Sequence, residues 1–130
     1  MAAIVVGYVD KPEGRAALQR AAAEAKLRRA RLVVVNSQSV ADPTTDEALA
    51  AVRAELTEDG LAHEVREPAP GLEPAEDLIA VAGEVAADFI VIGLRRRSPV
   101  GKLILGSNAQ RVLLDASCPV LAVKADSGHG

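Results

Sequence analysis

Four cations crowd the stretch GLRRRSPVGKLILGSN, residues 93–108: Arg95, Arg96, Arg97 and Lys102. Three glycines interrupt it, Gly93, Gly101 and Gly106, and Gly106-Ser107-Asn108 opens a segment of helical pattern. A helix start offers free backbone N–H groups and the positive end of the macrodipole, so it attracts anions. Ser107 adds a hydroxyl for a phosphate oxygen. Guanidinium groups donate paired hydrogen bonds to phosphate. Gly93 and Gly101 let backbone lie tightly against a ligand. On a chain of net charge −3, this local reversal of sign points to a phosphate-bearing ligand. The competing reading is a solvated basic loop followed by an ordinary helix cap at Ser107. The stretch is neither a Walker A loop nor the G-x-G-x-x-G dinucleotide fingerprint.

Other chemistry is sparse. Two histidines, His63 and His129, lie in a polar-facing strand position and in a small polar tail. The one cysteine, Cys118, precedes Pro119 and reads as a small buried apolar residue. No nucleophile–base pair stands out, so no catalytic residue is assigned. No His/Cys/Asp/Glu set has metal-ligand spacing. Mg²⁺ would arrive only with a nucleotide, held by phosphates and water.

The elements that must position the basic stretch follow from the apolar pattern. Short buried runs alternate with helical spacing. Residues 3–9, 31–37, 88–93 and 118–124 read as buried strands. Residues 61–67 alternate and read as an edge strand. Val5, Val34 and Ile90 are assigned to the core. Helices are expected at 10–30, after Thr44, after Pro74 and over 107–116. Asp10 with Glu13, and Thr44 with Glu47, have capping-box spacing. Gly60 suits a left-handed helix end. Val112, Leu113 and Ala116 are expected to face inward on the last helix. This alternation implies one domain with a mostly parallel sheet and helices on both faces. Ligands bind such sheets beyond the carboxyl ends of the strands, where the chain order reverses. If the first and fourth strands are neighbours, the loop after residue 9 and the basic stretch flank one crevice.

At 130 residues the chain suits a single domain, 1–124, with 125–130 a disordered tail. Aromatics make up 2% of the chain, leaving little for base stacking, and the net charge is acidic. Nucleic acid is therefore not expected as a partner. No apolar run approaches the ~20 residues that span a bilayer. With no signal peptide and one cysteine, the expectation is a soluble cytoplasmic protein.

Two segments resemble the universal stress protein family. They are IVVGYVDKPEGRAALQRAAAEAKLRRARLVVVN (4–36) and VIGLRRRSPVGKLILGSNAQRVLLDASCPVLAVK (91–124). The resemblance implies a five-stranded parallel sheet of order 3-2-1-4-5, Rossmann-like and similar to the adenine nucleotide alpha hydrolases. It also implies a homodimer along the last strand, through Val120, Leu121, Ala122 and Val123. Some members bind ATP through Gly-x2-Gly-x9-Gly-[Ser/Thr]. Here Gly93, Gly106 and Ser107 match, and Arg96 stands where the second glycine belongs. Arg96 either blocks that contact or offers its guanidinium to the phosphates. Binding members carry an Asp at the end of the first strand, where this chain has Val9. Asp10, one residue later, either replaces that Asp or caps the first helix; Glu13 favours the cap. Asn36 either bonds the loop backbone or faces the crevice.

The expected function is therefore a dimeric stress-response regulator that binds ATP or a related adenine nucleotide with little or no catalysis. The competing function is a dimeric interaction module without nucleotide. A flavin enzyme is disfavoured by the lack of aromatics.

Overall fold

β-Branched runs with alternate residues on opposite faces build the centre of the molecule. In the computed structural model, residues 2–37, 43–97, 102–103 and 106–125 are described. Strand β1 (Ala3–Tyr8) is followed by α1 (Pro12–Arg28), β2 (Arg31–Asn36), α2 (Pro43–Glu58) and β3 (His63–Arg66). Then come α3 (Pro74–Glu84), β4 (Phe89–Arg97), β5 (Lys102–Leu103), α4 (Ser107–Asp115) and β6 (Val120–Ala125).

Five strands run parallel in the order β3-β2-β1-β4-β6, as expected. Val5 lies opposite Val33 on one side and Ile90 on the other. Ile4, Val6 and Tyr8 pack with Ala17, Ala21 and Ala25 of α1 and with Leu49, Val52 and Leu56 of α2. The alternate residues Val5, Val33 and Ile90 pack with Leu78 and Val81 of α3 and Val112 of α4. Val5, Val34 and Ile90 are fully buried. Both faces of the sheet are thus covered by helices, with alanines on α1 allowing close approach.

The sixth strand was not expected. β1 accompanies β4 only over Phe89–Val91, whereas β6 follows it to Arg95. Beyond that, Arg96 and Arg97 pair antiparallel with Leu103 and Lys102. The arginine triplet is therefore strand rather than loop. An extended backbone that outruns its neighbours needs hydrogen-bond partners, and β5 provides them.

Helix ends differ from expectation in three places. The residue capping α1 is Lys11, without a side-chain cap bond, and Pro12 is the first helical residue. The Lys11 N–H turns back onto the Val9 carbonyl at 2.8 Å, which puts Asp10 one residue too early to cap. Asp10 instead pairs with Arg15 at 2.8 Å. Thr44 already lies inside α2, so it is not that helix's cap; the preceding residue lies outside the described ones. Among the described helix starts, a capping box forms on α3, between Glu73 and Glu76. On α4, Val112 is buried but Leu113 is 39% exposed. Ala109, Val112 and Ala116 share one face; Leu113 lies about 100° around the helix from Val112.

Gly60 has φ +70 and ends α2 as expected; Leu61 N–H bonds back to Leu56. The same left-handed ending recurs at Arg29 (φ 56) after α1 and at Ala86 (φ 51) after α3. Ala125 belongs to β6, opposite Arg95. Residues 126–130, expected to be disordered, lie outside the described ones.

Candidate functional site

The carboxyl ends of β1, β2 and β4 and the starts of α1, α3 and α4 converge on one open cleft with a cavity volume of about 130 Å³. β1 and β4 are neighbours, so the two loops do flank one crevice. Its walls are largely aliphatic, with Leu78 from α3, Ile92 from β4 and Val112 from α4 among them. The polar side chains on its described lining are Glu13, Ser37 and Asn108.

Two glycines set its floor. A Cβ on Gly14 would fall 1.9 Å from the Val9 carbonyl oxygen, and one on Gly93 would fall 1.9 Å from the Glu13 carbonyl oxygen. The first turn of α1 is therefore pressed between β1 and β4. Gly93 was expected to permit backbone approach to a ligand. Its missing side chain is first required by α1, although Gly93 also lines the cleft.

Three helix starts point at the cleft, and they are not alike. The first turn of α1 carries Glu13, and that of α3 carries Glu76 and Asp77. The first turn of α4 carries no acidic residue, and its capping residue Gly106 makes no side-chain cap bond. The amides of α4 thus keep their positive character, while carboxylates offset it at the other two. Asn108 Oδ1 accepts a hydrogen bond from Ala75 N–H at 3.2 Å, which ties the start of α4 to the start of α3.

The residues singled out from sequence are distributed as follows. Val9, Gly93 and Asn108 line the cleft. Gly106 and Ser107 are exposed at the start of α4, next to Asn108. Asp10 is exposed, pairs with Arg15 and is not on the lining. Asn36 is fully buried at the end of β2, opposite Tyr8, and does not open onto the cleft. Arg95 is exposed on β4 and is not on the lining either. Arg96, Arg97 and Lys102 are placed by their backbone in the β4–β5 ribbon. Gly101 lies outside the described residues. Val120, Leu121, Ala122 and Val123 are half-buried along β6.

Sequence reasoning missed most of the wall and its acid. Pro74 and Ala75 reach the cleft because α3 starts at the same end of the sheet as α1 and α4. The strand-then-helix alternation carried that signal. Glu13 was read only as half of a capping box. Next to the cleft, Tyr8 is buried with its hydroxyl bonded to Asp10. Burial, then the Asp10 charge, raises its phenol above the ordinary value of 10.0, and Arg15 opposes this. Among the described residues, no cluster of three or more His, Cys, Asp or Glu could hold a metal ion.

Fold and cleft define a class: a doubly wound α/β domain with an open crevice at the point where strand order reverses. Residues 1–124 match the model of the universal stress protein family. The chain is 43% identical to a universal stress protein of Mycolicibacterium smegmatis over 127 residues, 93% of this chain and 96% of that protein. It superposes on the universal stress protein of Archaeoglobus fulgidus with a TM-score of 0.78 at 36% identity, covering 95% and 99% of the two chains. A structure of the universal stress protein from Archaeoglobus fulgidus in complex with dAMP gives a TM-score of 0.74 at 32% identity, covering 95% and 98%. The chain belongs to the universal stress protein family.

Proposed function

We propose that the protein binds an adenine nucleotide in this cleft, with the phosphates at the start of α4 and the nucleoside against the aliphatic wall. It acts as a dimeric cytoplasmic regulator with little or no catalysis of its own. The observation that carries this reading is the contrast between helix starts: only α4 meets the cleft without a carboxylate in its first turn. Gly106, Ser107 and Asn108 supply the amides and hydroxyl for phosphate, and Gly93 and Val9 floor the cleft. Arg95, Arg96, Arg97, Gly101 and Lys102 form the basic rim, and Mg²⁺ accompanies the phosphates without a protein ligand set. Asp10 and Asn36 drop out of the direct contacts. The relative crystallised with dAMP supports the ligand class.

Isothermal titration with ATP and AMP tests the proposal. Saturable heat is expected, and Ser107→Asp is expected to weaken ATP roughly tenfold or more by placing a carboxylate among the amides. Absence of heat at high protein concentration overturns it.

A second reading, a dimeric interaction module without nucleotide, is favoured by Arg96. The backbone of Arg96 is engaged with Leu103 where the nucleotide motif has a glycine. Under that reading Ser107→Asp leaves cellular function unchanged.

A further inference from the structure

Glu13 lines the cleft, and its Oε1 is shielded from solvent with no hydrogen-bond partner among the described residues. A buried acceptor left unmatched is costly, more so for a carboxylate, and such groups mark places where a partner arrives. No other carboxylate lines the cleft among the described residues. Val9 has no side-chain acceptor, and its carbonyl already accepts from the Lys11 N–H at 2.8 Å. Asn108 Oδ1 is occupied by Ala75, and Asp10 by Arg15.

We infer that Glu13 is the residue that selects the nucleoside, by accepting a hydrogen bond from a neutral donor on it, a ribose hydroxyl or the adenine amino group. This rests on the nucleotide reading of the cleft. Charge fixes the polarity of the bound ligand. A carboxylate repels phosphate, so the phosphates are driven to the acid-free start of α4 and the nucleoside to the start of α1. Bonding a donor also relieves the orphan oxygen, so the contact adds affinity and discrimination together. A ligand lacking the donor leaves the shielded oxygen unpaired, and a site built to bond a hydroxyl or amino group rejects an analogue without it.

The test is a cycle of variants against analogues, by titration calorimetry: wild type, Glu13→Gln and Glu13→Ala, each with ATP, 2′-deoxy-ATP, 3′-deoxy-ATP, ITP and inorganic triphosphate. Circular dichroism melts establish that each variant is folded, and the isosteric Glu13→Gln keeps the test open if Glu13→Ala is not. For ATP, affinity should fall in the order wild type, Gln, Ala, by about tenfold overall. One analogue should bind the wild type about tenfold more weakly than ATP, and that penalty should vanish in Glu13→Ala. The deoxy analogues identify a ribose hydroxyl and ITP identifies the amino group. Inorganic triphosphate, which has neither, should bind both variants at least as tightly as wild type. If ATP binds wild type and both variants alike, or every analogue penalty survives the substitution, this inference falls and the nucleotide reading stands. If Glu13 variants weaken inorganic triphosphate as much as ATP, the effect is structural and the inference falls. If wild type binds no nucleotide, both fall.

Discussion

Among the described residues, three hold a left-handed backbone at helix ends, and only one is glycine. Gly60 does so without a Cβ, whereas Arg29 and Ala86 adopt φ 56 and φ 51 with one. An L-residue there places Cβ against the following carbonyl, at a cost of roughly 1–2 kcal/mol. The surrounding bonds hold them in place: Ala30 N–H to Ala25, and Ala87 N–H to Ala82, both at 2.9 Å. Arg29 and Ala86 are exposed, so removing their side chains loses little packing. Arg29→Gly and Ala86→Gly are each expected to stabilise the fold by about 0.5–1 kcal/mol, after allowing for the greater freedom of glycine in the unfolded chain. Gly60→Ala should destabilise it by a similar amount. Urea unfolding midpoints at constant slope give the comparison.

Among the elements, the two edges of the sheet contrast. β3 is four residues long and carries charge along its length. Glu64 pairs with Arg31 at 3.2 Å and with Arg66 at 2.8 Å, and Arg66 also reaches Glu84. The Arg66 bond holds the Glu64 carboxyl below its ordinary range. Such an edge resists pairing with another strand. β6 is the opposite. Its Val120, Leu121, Ala122 and Val123 are half-buried, it pairs only with β4 among the described strands, and no charge interrupts it before Lys124. An apolar edge of this kind needs covering, and the proposed cover is β6 of a second copy. Leu121→Lys is expected to shift sedimentation from dimer to monomer while the circular dichroism spectrum stays folded. Val65→Lys on β3 is expected to leave the dimer intact. A monomeric wild type at micromolar concentration removes the dimer from the proposed function.

At the scale of the whole molecule, a parallel sheet with helices on both faces was legible because apolar runs and helical stripes alternate, while the strand order, and with it the position of the cleft, came only with the family resemblance. What stayed hidden depends on register across the sheet. The Arg95–Arg97 triplet looks like a loop because its charge masks an extended backbone, and only the unequal reach of β1 and β6 along β4 shows why it must pair. Asp10 looks like a cap because Glu13 has the right spacing, and only the tight turn at Val9 shows that it falls one residue short. Tyr8 is invisible as a special group for the same reason: its partners Asp10 and Arg15 sit in α1 and the turn before it. That tyrosine gives the molecule a measurable alkaline limit. Its phenol ionises above 10.0 in the folded protein and near that value when unfolded. Below about pH 10 both states hold the proton, so the group contributes no pH dependence. Above it the unfolded state has released the proton and the folded state has not, so stability falls as pH rises toward the folded value. Tyr8 is the one tyrosine and the chain has no tryptophan, so the near-ultraviolet phenolate absorbance titrates this residue alone. That titration should be displaced upward from a free tyrosine and return to it in denaturant. Tyr8→Phe should lose less stability than wild type between about pH 9 and about pH 11 in urea melts. A phenolate signal that titrates like free tyrosine in the folded protein would mean that Tyr8 is not buried against Asp10, and the packing of β1 on α1 beside the cleft would then have to be redrawn.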